Sequence, residues 1–568
     1  MVTNDDILLT NEVPFIDELE WEGLQKKYKI GEHVPFTSEK LPLGSKKIEI
    51  FRDDEYKIKG KLRGDLENID ELKLLNYDRE KIIENNEKIL AISESAIHTE
   101  YEIKCSFNKV SYGHNRDNGN YFKSDMDISY VKRTFKPLYE HLKEYSDVYW
   151  FTEWFLNGPI FLRYGGSIDY SLCKKYNRRM KEPQYPIIGP NHKLHKDFYF
   201  NLENGIEQKY YRQGSYSKPY MFVEFKDEND EDKYFTVQSV PDNYGPSWSN
   251  KVSIEYRTEW GLPTIEERKK LNEIISFSIG RQLISIGYTK YNKKGLILED
   301  CCYTPYISEG IHFHDLCKAK DMTPINQIDG NIWTDNIGTH LKRLIPNYIK
   351  LRDELKLHEV LEKYWLAQSI PKEAEIIILA ASLESLIKSW YKSKKSKSKG
   401  VYLPKDDFED DLREGLELIE NKLNNRDFGE NTNFKDRILR KIQNSYNMSL
   451  NERIDFFFKE IGLNVGKIEK KAIQYRNKPV HGDILIQGNI LKTNEFDEML
   501  RMTNAYRTLL NRIILKILNY DKEYIDFYRE SCPFNTIRDI IRPIDEPVTH
   551  LENVDPELSK KRRVHYFP

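Results

Sequence analysis

The sequence predicts an α+β chain of more than one domain, a β-rich N-terminal domain followed by an all-α helical bundle. Three observations lead there. Apolar residues alternate with a period of two through much of the first part of the chain; the period becomes helical from about residue 334; and 568 residues exceed what one core holds. The boundaries we expect are 1–333 for the β-rich domain, 334–530 for the bundle and 531–568 for a tail.

In the first part, Ile48-Glu49-Ile50-Phe51, then Asp53-Asp54, then residues 56–62 read as alternation, turn, alternation, which is a hairpin. Residues 101–107 alternate in the same way. Residues 221–225 and 234–240 make two further strands, and the acidic run 226–233 between them is expected to be a solvated loop tip. One helix interrupts the strands, opening on a capping box of Thr264 and Glu267 and running to about Arg281.

The bundle is predicted helix by helix. Pro371 sits in the first turn of a helix with the stripe Ile376, Leu379, Leu383, Leu386 and Trp390. A second carries Phe408, Leu412, Leu416, Ile419 and Leu423. A third opens on a capping box of Ser449 and Glu452, and a short fourth holds Ile468, Ala472 and Tyr475 just before Arg476. The longest begins near Thr493. Its Leu509, Leu510, Ile513 and Ile514 point to more than one side, enough for its own core and part of a partner. Beyond Tyr520, five prolines and the basic residues 560–563 suggest an arm that packs elsewhere.

A net charge of −3 excludes a general polyanion binder, so any nucleic acid meets a local patch. The basic, low-complexity run 392–400 reads either as a flexible solvated loop or as a phosphate-touching one, with Lys394, Lys395 and Lys397 as contacts. Six cysteines in so long a chain are not a disulfide framework, which fits a reducing compartment. The N-terminus has no signal-peptide pattern, and no stretch reaches the roughly 20 apolar residues of a membrane span, so a cytoplasmic protein is expected. Cys301, Cys302, His312, His314 and Cys317 fall close together. They read either as a structural zinc site or as ordinary thiols and imidazoles, since no C-x-x-C pair is present.

Cleaving RNA without a metal needs a base for the 2′-hydroxyl, an acid for the leaving 5′-oxygen and a cation on the phosphate. Histidine transfers protons near neutrality, and arginine offers phosphate a bidentate fork. Arginine followed after a few residues by histidine is therefore a minimal half-site. Chance supplies that pattern about twice in a chain with this many histidines. It occurs at Arg352–His358 and Arg476–His481. The first lies in charged, regular sequence and reads as an exposed helix face. The second ends an amphipathic helix, and Pro479 and Gly482 allow the chain to turn His481 back toward Arg476. An ordinary helix stop with a surface histidine is the alternative.

The string Tyr475-Arg476-Asn477-Lys478-Pro479-Val480-His481-Gly482 closely resembles the Arg-Asn-x-x-x-His-Gly signature of HEPN domains, except that proline replaces the commoner aliphatic residue at 479. The helix around Ala380-Ala381-Ser382-Leu383-Glu384-Ser385-Leu386 looks like the opening helix of the HEPN subgroup in ApeA-type proteins. Residues 149–155 and 280–289 are similar to the ApeA N-terminal domain. The resemblance implies a dimeric endoribonuclease that needs no metal cofactor for catalysis and acts as a toxin in bacterial anti-phage abortive infection, set off by a phage-derived trigger. It further implies that Arg476 holds the phosphate, Asn477 orders the site and His481 is the acid/base; Lys478, beside them in the sequence, is a further candidate for RNA contact. The alternative is a HEPN protein that binds RNA or a partner without cleaving it.

Overall fold

The computed structural model describes the chain between residues 36 and 541 in stretches, the longest being 98–115, 119–136, 147–159, 220–239, 249–291, 333–393, 399–426, 433–476 and 493–529. The described residues form two compact units. One comprises those within Met1–Thr323 and Gln327–Pro346, the other those within Pro324–Asn326 and Asn347–Pro568. The sequence changes period near residue 334, whereas contacts change sides at Pro346, inside a helix.

The first unit is built on one antiparallel sheet of 12 strands. In chain order these are β1 (Phe36–Thr37), β2 (Lys46–Arg52), β3 (Ile58–Leu66), β4 (Glu87–Ser93), β5 (His98–Asn115), β6 (Gly119–Lys136), β7 (Trp150–Leu156), β8 (Tyr220–Lys226), β9 (Asp232–Ser239), β10 (Lys251–Arg257), β11 (Ile284–Tyr291) and β12 (Ile297–Tyr303). The main path is β1-β4-β5-β6-β12-β11-β7-β10-β9-β8. The expected hairpin is β2–β3, with Ile50 opposite Gly60, and residues 101–107 lie within the long β5. Strand β6 serves two partners on one edge. Its first half pairs with β3 and its second with β12.

Helix α1 (Ile265–Ile279) carries the predicted capping box, with the Glu267 N–H donating to Thr264 Oγ1 and the Thr264 N–H to the Glu267 carboxylate. Arg268 fixes it to the sheet. Its guanidinium reaches Glu153 at 3.2 Å and lies 4.0 Å from the ring centre of Phe151, both on β7. The helix stops at Gly280 in the left-handed region (φ 73°), where a Cβ would stand 2.2 Å from the Thr323 nitrogen, so only glycine fits. The two strings likened to the ApeA N-terminal domain meet here. Strand β7 pairs with β11, and Arg281 donates to Asn157 Oδ1 at 2.9 Å.

The acidic run between β8 and β9 is largely the solvated tip expected, with residue 226 and residues 228–232 exposed, but one of its acids is anchored. Asp227 is buried, accepts from the N–H groups of Asn229 and Glu231, and pairs with Lys233 at 2.9 Å. Lys233 also reaches Glu267 at 2.8 Å, so the turn is tied to the start of α1. The bases are the run's own Lys226 and Lys233, and the fold adds the tie to α1.

The second unit is helical. Helix α2 (Trp333–Leu351) crosses the boundary between the units; α3 (Leu357–Ser369), α4 (Lys372–Lys392), α5 (Lys405–Asn424), α6 (Asn433–Gln443), α7 (Leu450–Glu460), α8 (Lys467–Tyr475) and α9 (Thr493–Ile517) follow. Pro371 is the N-cap of α4, and the Ser449–Glu452 capping box opens α7 as expected. Helix α9 is the core of the unit. Leu509, Leu510 and Ile513 have no exposed surface and Ile514 almost none, so the side chains expected to meet a partner are consumed inside one chain. The opposite correction applies to α5. Of its expected stripe only Phe408 is buried, whereas Leu412 is 45% exposed, and Phe434 on α6 is 46% exposed. Periodicity marks a face as apolar without saying what covers it.

Charges also cross this core. Arg507 on α9 pairs with Glu375 on α4, and Arg512 on α9 with Glu469 on α8, all four without appreciable exposure. After α9 a hairpin of β13 (Glu523–Ile525) and β14 (Phe534–Thr536) packs back, leaving Asp526 buried. The basic residues 560–563 lie outside the described residues.

Burial raises the Asp526 carboxyl to about 6, against the opposing pull of the Tyr528 N–H, Arg529 and Arg512 and with Glu469 adding to the rise. A raised carboxyl pKa means that the folded chain holds this proton more tightly than the unfolded one. Its contribution to stability is therefore present below the ordinary aspartate range and lost as pH rises through about 6. We predict that Asp526→Asn, which keeps the acceptor for the Tyr528 N–H, raises the unfolding midpoint at pH 8 and leaves it unchanged at pH 4. Equal midpoints of the two proteins at pH 8 would show that the charge is not strained.

Candidate functional site

Helix α8 leads to the motif residue that the structure describes. The Gly466 N–H donates to the Glu469 carboxylate at its start, and Ala472, Ile473 and Tyr475 form its inner side. The helix ends at Arg476, which keeps helical angles (φ −51°, ψ −27°). Asn477, Lys478, Pro479, Val480 and His481 lie outside the described residues.

Arg476 is 8% exposed, and its Nη1 stands 2.9 Å from Glu384 Oε1 on α4. The wholly buried Tyr506 of α9 lies beside the guanidinium; burial pushes its phenol well up despite the lowering pull of Arg476, so it stays neutral. Three helices thus converge on one cation. Among the described residues, neither Arg476 Nη1 nor Tyr506 Oη completes a well-aligned hydrogen bond. Chemically, the arrangement fixes a guanidinium at a helix end through a half-exposed carboxylate, next to open surface.

That surface is rich in lysine. Glu384 lines a cleft of about 600 Å³ whose other walls include Lys363 of α3, Lys388 and Lys392 of α4, Lys399 and Arg453 of α7. Of the lysines proposed from sequence, Lys395 is exposed, while Lys394 and Lys397 lie outside the described residues. The loop itself is partly anchored. Ser393 and Ser396 are buried, Ser393 Oγ accepts from the Lys395 N–H and Ser396 Oγ from the Lys399 N–H, so a purely flexible loop is not what the described residues form.

The other Arg–His match is not an exposed helix face. Helix α2 ends at Leu351, Lys356 takes a left-handed conformation (φ 52°), and α3 starts at Leu357. Arg352 pairs with exposed Asp353, while His358 is half-buried.

Cys301 and Cys302 are neighbours on β12, and successive side chains of a strand leave by opposite faces. Cys301 sits with Tyr303 and Tyr288, Cys302 with Arg52. The pair therefore does not fit a single zinc ion. Cys317 lies against Ser249 and Arg281, with burial raising its thiol to about 11. His312 and His314 lie outside the described residues, and among the described ones no three potential ligands converge.

Glu384, Tyr506, Lys363 and Arg453 escaped the sequence reading. Only Lys388 and Lys392 carry a legible signal, two lysines one turn apart on the polar side of α4. No protein-family model matches the chain, and no curated protein matches it.

Proposed function

We propose that this chain is a metal-independent endoribonuclease of the HEPN type, an RNA-cleaving toxin of bacterial anti-phage defence whose activity the N-terminal unit governs. The observation that carries the reading is the placement of Arg476. It ends α8 immediately before Asn477 and His481, held by Glu384 at the lip of a cleft lined by lysines. In this mechanism Arg476 holds the scissile phosphate, Asn477 orders the segment and His481 moves the proton. One Arg–His pair offers one cation and one proton-transfer group, whereas the reaction takes a base and an acid, so the reading includes a two-fold pair of chains sharing a cleft. The defence role rests on the resemblance of residues 149–155, 280–289 and 475–482 alone.

A second reading has an observation in its favour. The burial of Arg476 and its pairing with Glu384 suit a structural tie in a bundle that binds RNA or a partner without cutting it.

The test uses purified full-length protein with RNA in EDTA, with its mass measured by light scattering. The expected outcome is cleavage that survives EDTA, products ending in a 2′,3′-cyclic phosphate and a 5′-hydroxyl, and the mass of a dimer. Products with 5′-phosphates, or activity lost in EDTA and restored by magnesium, would overturn the mechanism. An active monomer would overturn the shared cleft.

A further inference from the structure

Helix α4 has an outward face that its own unit leaves uncompensated. Two adjoining clefts, about 660 and 600 Å³, share Ser385, Lys388 and Lys392 of this helix. Lys388 and Lys392 stand one turn apart, about 6 Å along the axis. Both are exposed, and neither has an ion-pair partner among the described residues. Neighbouring lysines behave differently. Lys356 pairs with Glu359 and Lys372 with Glu375. Two like charges one turn apart repel and weaken the helix slightly, which an outside anion would reverse.

Glu354 and Glu359 line the first cleft and offset part of the field, Glu359 being paired with Lys356, but the cations around the two clefts outnumber the acids. Lys363 comes over from α3 and donates to Ser385 Oγ at 2.9 Å. Lys399 and Arg453 add positive charge from the far wall of the second cleft, where Glu384 is the single acid among the described residues. That acid is already engaged by Arg476. Net positive charge thus lines a trough that ends beside Arg476.

We infer that this face of α4 is the track on which a single strand of RNA lies by its phosphates as it approaches Arg476. Repeated monoanions spaced along a flexible chain match ammonium groups repeated along a helix. Two adjoining open clefts of about 660 and 600 Å³ take a few nucleotides of one strand. The choice of RNA among polyanions rests on the ribonuclease reading; the charge geometry does not.

The experiment measures binding of a labelled, mixed-sequence single-stranded RNA to full-length His481→Ala protein by fluorescence anisotropy across a salt series. The same is done with Lys388→Glu/Lys392→Glu and Lys388→Gln/Lys392→Gln added. Both lysines are exposed and unpaired among the described residues, so the fold and unfolding midpoint should hold. The Glu pair should raise Kd at least tenfold. The Gln pair should lower the slope of log K against log salt by about 1.4, two phosphate contacts' worth for a single strand. A Kd within twofold of the parent for both double variants overturns the track, and leaves the ribonuclease reading standing where the wild type cleaves. Competition by poly-glutamate or by duplex as strong as by single strands also overturns it, pointing to an acidic protein or a duplex ligand. Lysine-dependent binding with no cleavage by the wild type supports the track and fells the ribonuclease reading alone.

Discussion

On the ribonuclease reading, His481→Ala should lower RNA cleavage by about 10²–10⁴-fold, the usual worth of a positioned proton-transfer group, and Arg476→Ala by about 10²–10³-fold, as for loss of one charge-stabilising donor. The two differ in what else they disturb. Arg476→Ala strips Glu384 of its partner, but that side chain is 41% exposed and stays hydrated, so the stability cost is small, about 1 kcal/mol. A large fall in cleavage with a small fall in unfolding midpoint is the signature of the ribonuclease reading. The structural reading predicts the reverse, a lowered midpoint with RNA binding retained and no cleavage in the parent. Arg352→Ala and His358→Ala serve as matched controls, since Arg352 stands in the turn after α2 and His358 in the first turn of α3. Wild-type cleavage by His481→Ala protein would end the assignment.

The second large effect is expected from the buried pair of Glu469 and Arg512. Glu469→Ala leaves the Arg512 guanidinium without exposed surface and without its carboxylate, and removing one partner of such a pair costs about 3–5 kcal/mol. Arg512 keeps the Asn464 carbonyl at 3.1 Å, which does not replace a charge. Replacing both, as Glu469→Leu with Arg512→Met, should restore a good part of the loss, because two apolar side chains need no solvation. The comparison is a double-mutant cycle in urea with the helical signal as readout. Additive losses would show that the two side chains do not depend on each other. Since α8 ends at Arg476, Glu469→Ala should also weaken cleavage through position, and the double replacement should recover it in step with stability.

Local signals account for much of the fold. Capping boxes at Thr264 and Ser449 mark helix starts because their hydrogen bonds are made within four residues. The β2–β3 hairpin and the strands flanking the acidic run follow from alternation, which is equally local. The mixed α+β class, strands first and helices after, was settled at that level.

What tertiary structure decided is which partner each patterned face received. The stripe of α5 has the right period, yet beyond Phe408 it is only half-buried or, at Leu412, exposed; Leu509, Leu510, Ile513 and Ile514 on α9 have two apolar sides because one chain surrounds them. Asp227 is buried because Lys233, which also holds Glu267, pairs with it, and of the two readings left open for Cys301 and Cys302 the strand, which sends neighbouring side chains to opposite faces, favours ordinary thiols. Arg476 was visible in the sequence as a motif residue, but Glu384, Tyr506 and the lysines of α3 and α4 join it only through long-range packing. Period and capping are properties of a few consecutive residues, whereas burial and charge compensation depend on residues far apart in the chain, and no local pattern encodes those distances.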